Sequence, residues 1–191
     1  MSIILASQSP RRKQILEWAE IEFDTIVNST DESFPDTMPI AEVPIYIARG
    51  KAQAVREFIK MNHTHHIGKP ILAADTVVVL KDDIIGKPTD RENAINILKS
   101  LSGKRHAVIT GVVILLNNKE IEFADTTYVT FHALTHEEVV FYVDKYKPYD
   151  KAGAYAIQEW IGVIGIESIE GDFYNVMGLP VSRVVKALHS C

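Results

Sequence analysis

Apolar residues come in short blocks between polar turns, and their spacing alternates between the two-residue period of a strand and the 3.6-residue period of a helix. Ile3 to Ala6 form a compact apolar run that predicts a strand. From Pro10 onward, Ile15, Leu16 and Ala19 keep helical spacing, with Pro10 suited to the first turn and Ser9 to the N-cap. FDTIVN predicts a second strand, and a polar, proline-containing loop from Ser29 to Pro44 leads to a helix from about Pro44 to Met61. NHTHHIGKP reads as a loop, ILAADTVVVL as an apolar strand carrying one acid, and KDDIIGKP as the Asp-Asp turn and short strand of a hairpin. Asp90 opens a helix that closes on Gly103. HAVITGVVILLNNKEIEFADTTYVTFHAL predicts three strands, with Asn117 and Asn118 as a turn. Thr135 begins another helix, and the chain ends in one from Leu179 to His189. The stretch from Lys147 to Phe173 has only glycines and short apolar runs, so no element is assigned to it.

β-α alternation alongside consecutive hairpins predicts an α/β fold with a mixed sheet. No repeat, low-complexity stretch or long linker divides the 191 residues, so the expectation is a single domain, 1–191, built as two lobes. A hydrophobic fraction of 47% is that of a globular chain able to bury a core without disulfides. The only cysteine is Cys191, which excludes an internal disulfide and suits a reducing compartment. No run is apolar and long enough for a signal peptide or a membrane span, so the expected location is cytoplasmic, without membrane contact. A net charge of -5 argues against nucleic acid as a partner, because the long-range field repels phosphate. Any phosphate binding must therefore be local.

Candidate chemistry begins at LASQSPRR. A helix starting at Pro10 exposes backbone N–H groups at its positive end, and Arg11 and Arg12 add two cations there. Cations in that position oppose the helix dipole, at about 0.3–1 kcal/mol each, unless an anion offsets them. The arginine fork holds two phosphate oxygens at once, so the stretch predicts an anion site. The plainer readings are two solvated charges, a phosphorylation site or, least in keeping with an acidic protein, a DNA minor-groove arm.

Asp75, alone in an apolar strand, needs a partner, a metal or a cleft, unless it merely caps an early strand end. Lys51 in ARGKAQAV and Lys87 in IGKP are equally compatible with solvated charges. In DKAGAYAIQ, Gly153 and its small neighbours would let backbone approach a ligand closely, and the Gln158 amide offers the donor and acceptor that match uracil or thymine but not cytosine. A simple glycine turn bearing a polar residue explains that stretch as well. The histidines at 63, 65 and 66 match no zinc spacing and read as a solvated loop. Asp31 and Glu32 would suit a divalent cation beside a phosphate site, or plain solubility.

SQSPRR, Glu32, ARGKAQAV, AADTVV, GKP, SGKRHAVITGV, DKAGAYAIQ and GDFYNVMGLP occur in one order from about Ile3 to Val185, and that order resembles the Maf family of nucleoside triphosphate pyrophosphatases. The resemblance implies an elongated α/β fold, a mixed β-sheet with flanking helices, related to the inosine triphosphate pyrophosphatases, with a deep cleft between two lobes. It implies cleavage of a nucleoside triphosphate to monophosphate and pyrophosphate with a divalent metal, Mg²⁺ or Mn²⁺, and it suggests a homodimer. Carried over by motif, Ser9, Arg11 and Arg12 cradle phosphates, Glu32, Lys51 and Lys87 complete the polar cleft, and Asp75 is the proton acceptor. Glu32 and Asp75 are the metal-ligand candidates. Arg11, Thr76 and Gln158 match positions that select substrate in the branch acting on dTTP and UTP, which KAGAYAIQ resembles. The expected role is housecleaning of nucleotide pools, with a link to septum formation and cell-division arrest. The alternatives are a nucleotide-binding regulator without turnover and a pyrophosphatase for purine or modified triphosphates.

Overall fold

The computed structural model describes residues 2–189, so Cys191 lies outside the described residues. In chain order the elements are β1 (Ile3–Leu5), α1 (Pro10–Trp18), β2 (Phe23–Thr25), α2 (Val43–Asn62), β3 (Ile71–Leu80), β4 (Asp83–Ile85), α3 (Arg91–Leu101), β5 (Arg105–Leu116), β6 (Lys119–Phe131), α4 (His136–Tyr146), α5 (Trp160–Gly165), β7 (Ile166–Glu170), α6 (Phe173–Met177) and α7 (Val181–His189). Single 3-10 turns occupy Thr64–His66 and Ala152–Ala154. The strand order is β2-β1-β3-β5-β6-β7, with β4 on β3. β1 pairs parallel with β2 and β3, whereas β3–β4 and β6–β7 are antiparallel, so the expected mixed α/β sheet is present.

The chain forms two compact units, the first from residues up to 75, 110–125 and from 178, the second from 76–109 and 126–177. In the first unit, α2 turns Ala48, Ala52, Val55 and Ile59 onto Ile4, Ile71, Ala73, Val113 and Leu115 of β1, β3 and β5 and onto Ala6 just after β1. Their spacing of three and four residues is the core stripe of an amphipathic helix. In the second unit, Val78, Val108 and Val129 form a core with Ile85, Ala152, Ile166 and Val176 packed against it.

Terminal capping follows the local sequence. Asp90 caps α3 by accepting from Asn93 N–H, and Thr135 and Glu138 form a reciprocal capping box on α4. Where the sequence predicts three strands between His106 and Leu134, there are two long ones, β5 and β6, joined at Asn117 and Asn118. Gly111 does not break β5. A Cβ there would lie 2.3 Å from Ile45 N and Pro44 C, so glycine at this point admits the backbone at the start of α2. The unassigned glycine-rich stretch contains α5 and β7 and ends at the start of α6. Its glycines serve contacts: a Cβ at Gly162 would lie 1.7 Å from the Ile157 carbonyl oxygen, and at Gly165 3.0 Å from the Leu134 side chain.

Candidate active site

β1 is buried along its whole length and delivers the chain into a turn from Ala6 to Ser9 that runs into α1. Two serines fasten this turn. Ser9 N–H donates to Ser7 Oγ at 3.2 Å, and Arg12 N–H donates to Ser9 Oγ at 3.5 Å. Ser9 is thus the N-cap, and Pro10, which has no N–H to waste, occupies the first helical position.

The two arginines that follow differ. Arg11 is half-buried, whereas Arg12 is only 8% exposed. Arg12 Nε donates to the Gly178 carbonyl at 2.7 Å and Nη1 donates to Ser7 Oγ at 3.1 Å. Gly178 sits at φ 111°, a backbone region that disfavours any side chain. Burial pushes the Arg12 guanidinium below its ordinary value. Asp75 opposes that shift, Arg11 adds to it, and Glu32 opposes it in turn. Arg12 therefore feels the charge of all three neighbours. Two of its five donors are thus engaged within the protein.

Asp75 lies midway along β3, where it and Thr76 are the two half-exposed positions in an otherwise buried run from Ile71 to Val79. Its carboxylate does not cap a strand end, because β3 continues to Leu80. Lys51 reaches it from α2: Nζ donates to Asp75 Oδ1 at 2.7 Å and lies 2.8 Å from Glu32 Oε1. The Lys51 and Asp75 side chains are 18% and 15% exposed, and Glu32, from the polar loop before α2, is 49% exposed. One ammonium thus joins two carboxylates that would otherwise repel each other. Removing it would leave Asp75 without its cation in a poorly solvated place. The cations Arg11, Arg12 and Lys51 against the carboxylates Glu32 and Asp75 sum to +1 (three minus two).

Ser9, Arg11, Arg12, Glu32, Lys51 and Asp75 therefore converge within the first unit. Thr76, Lys87 and Gln158 belong to the second unit. Thr76 follows Asp75 on β3, Lys87 is exposed just beyond β4, and Gln158 is exposed in a turn closed by Glu159 N–H donating to the Ala156 carbonyl at 3.1 Å. Gly153 does not open space for a ligand. At φ 70° its missing Cβ would lie 3.0 Å from the Val78 side chain, so the glycine serves the turn and the core of its own unit.

The 63–66 segment forms a 3-10 turn in which the His65 and His66 rings lie 4.0 Å apart and His66 Nδ1 is 3.6 Å from Asp24. Among the described residues no group of three His, Cys, Asp or Glu side chains gathers as a metal cage. Glu32 and Asp75 offer a two-carboxylate donor set, of the kind that magnesium-type ions take together with waters and substrate phosphates. The residues present fit such an ion only in company with a polyphosphate.

Two residues of the site are missed by sequence reasoning. Ser7 is the other hydroxyl of ASQS but stands outside the helix that draws attention to Ser9. Gly178 meets Arg12 across 166 positions of sequence, a pairing that no local pattern can announce.

The family model described as "Maf-like protein" matches residues 2–191. A protein of Parabacteroides distasonis named dTTP/UTP pyrophosphatase is 46% identical over 187 residues, covering 97% of this chain and 94% of its own length. Its namesakes from Cytophaga hutchinsonii and Bacteroides thetaiotaomicron are 46% and 45% identical, with 97% and 95% of this chain covered and 82% and 92% of their own lengths. Among solved structures, the Ham1 protein of Staphylococcus aureus shares the fold, with a TM-score of 0.55 at 15% identity over 100% of this chain and 99% of that one.

Proposed function

The chain belongs to the Maf family, and on that premise we propose that it hydrolyses dTTP and UTP to the monophosphate and pyrophosphate. The observation that carries the reading is the contact of Lys51 with both Asp75 and Glu32, beside the serine-held turn that bears Arg11 and Arg12. Such a group combines an acceptor for a proton with cations for a polyanion.

In this mechanism a water molecule attacks the α-phosphorus and its proton passes to Asp75. The bond from that phosphorus to the bridging oxygen breaks, and pyrophosphate departs with the electron pair. Arg11, Arg12, Lys51 and Lys87 hold the phosphate charge, and Ser9 keeps the turn that presents it. Lys51 also keeps the Asp75 carboxylate oriented between turnovers. A net local charge of +1 is too small for a triphosphate of about four negative charges, which supports a role for a divalent cation such as Mg²⁺ or Mn²⁺. Glu32 and Asp75 would hold it, and when bound it supplies charge neutralisation at the phosphates.

Substrate choice is assigned to Arg11, Thr76 and Gln158, with the Gln158 amide pairing with the N3–H and C4 carbonyl edge that uracil and thymine share. Cytosine presents the opposite pattern there, and a polar site rejects a mismatched edge strongly. The net charge of -5 supports free nucleotides rather than nucleic acid as substrate. No helix among the described residues is long and apolar enough to cross a membrane. A single functional domain, a homodimer and a cytoplasmic location complete the proposal.

A panel of common and modified nucleoside triphosphates, scored for pyrophosphate and monophosphate with Mg²⁺ or Mn²⁺ present, tests the reading. Turnover highest on dTTP and UTP is expected. Nucleotide binding without any product would instead indicate a regulator, and a purine optimum would move the specificity elsewhere.

A further inference from the structure

We infer that Tyr142, Glu159 and Lys151 are positioning residues that fix the turn carrying Gln158, and through it the choice between uracil and cytosine. The inference rests on the proposed base-reading role of Gln158.

Residues Ala156 to Glu159 form a turn closed by Glu159 N–H donating to the Ala156 carbonyl at 3.1 Å, and Gln158 is its third residue. The Tyr142 hydroxyl, fully buried on α4, grips both ends of this turn. It accepts from Ala156 N–H at 3.1 Å and donates to Glu159 Oε2. Glu159 stands at the N-cap position of α5, but its side chain makes no capping hydrogen bond. The carboxylate turns back to Tyr142 instead, and Lys151 Nζ lies 3.6 Å from its other oxygen, Oε1.

Lys151 is only 8% exposed and also bonds Asp150 at 2.8 Å, so its charge is compensated from both sides. From the far side the turn is closed by Gly162, where a Cβ would occupy the place of the Ile157 carbonyl oxygen. Ala156 and Ile157 are each 4% exposed, whereas Gln158 is exposed. The turn is anchored everywhere except at the one side chain that projects from it. Holding the backbone at Gln158 fixes the point from which its amide reaches out, and so limits the base edges it can meet. All of these groups lie in the second unit.

The test compares kcat/KM for UTP and CTP in the full-length enzyme and in the variants Tyr142→Phe, Glu159→Ala, Glu159→Gln and Gln158→Ala, with thermal melting to confirm folding. Tyr142→Phe keeps the ring but loses both bonds. It is expected to lower the UTP-over-CTP preference about tenfold, the scale of one or two lost hydrogen bonds, chiefly through KM, with kcat on UTP within about twofold. Glu159→Ala should do the same, and Glu159→Gln, which retains an acceptor for the Tyr142 hydroxyl, should restore most of the preference. If Tyr142→Phe does not fold, Glu159→Ala against Glu159→Gln decides. Loss of the preference in Gln158→Ala alone, with the folded Tyr142 and Glu159 variants unchanged, overturns the positioning role and leaves Gln158 as the reader. An unchanged preference in Gln158→Ala overturns the base-reading assignment, and the positioning inference falls with it.

Discussion

Replacing Arg12 by Met should destabilise the protein even without nucleotide, whereas replacing Arg11 should not. Arg12 is 8% exposed and donates to the Gly178 carbonyl at 2.7 Å and to Ser7 Oγ at 3.1 Å. Methionine fills a similar volume but offers no donor. The Gly178 carbonyl then loses a charge-assisted bond in a buried place, a change of about 1–3 kcal/mol. Ser7 Oγ keeps its bond from Ser9 N–H, so its share of the loss is smaller. The attraction of Arg12 for Asp75 and Glu32 also disappears, while the desolvation of the guanidinium is relieved, and these two effects oppose each other. The net expectation is a loss of about 2 kcal/mol, or a fall of about 4–8 °C in melting temperature for a chain of this size. Arg11→Met should stay within about 0.5 kcal/mol of wild type yet weaken UTP binding. Urea titrations of the nucleotide-free proteins, followed by circular dichroism, read the difference directly. Equal stability of the two variants would refute the structural role of Arg12 as a clamp on the turn.

Lys51→Met removes the ammonium that Asp75 and Glu32 share and should reduce kcat/KM on UTP about 100-fold, whereas a loss below about threefold in steady-state assays would contradict its place in the site. Burial holds His106 down to about 4 from an ordinary 6.5, so the unfolded chain takes up this proton before the folded one does. The contribution is complete above pH 6.5 and declines as pH falls toward 4. Urea midpoints across that range should fall less steeply in His106→Gln, which keeps a polar partner for the Tyr155 hydroxyl, and identical slopes would contradict this reading.

Much of the fold is legible from periodicity and capping because those signals are local. Ser9 before Pro10, Asp90 before α3 and Thr135 with Glu138 each act within a few residues of themselves. The glycine-rich stretch is illegible for the opposite reason: Gly162 and Gly165 meet Ile157 and Leu134, and nothing in their own spacing names those partners. Asp75 is readable as an anomaly since an unpaired acid in an apolar strand violates a general rule, and its pairing with Lys51 resolves the violation. Arg12 shows the limit of the same reasoning. Its charge is obvious in the sequence, but whether it faces a ligand or the protein depends on Gly178, far along the chain.

The most direct test is Asp75→Asn, which keeps the shape of the side chain and removes its capacity to accept a proton. UTP affinity and single-turnover hydrolysis should be measured on the same preparation. Turnover is expected to fall at least about 100-fold while the Kd for UTP stays within about threefold. Hydrolysis at the wild-type rate by a folded Asp75→Asn protein would contradict the assignment of this carboxylate as the acceptor of the water proton.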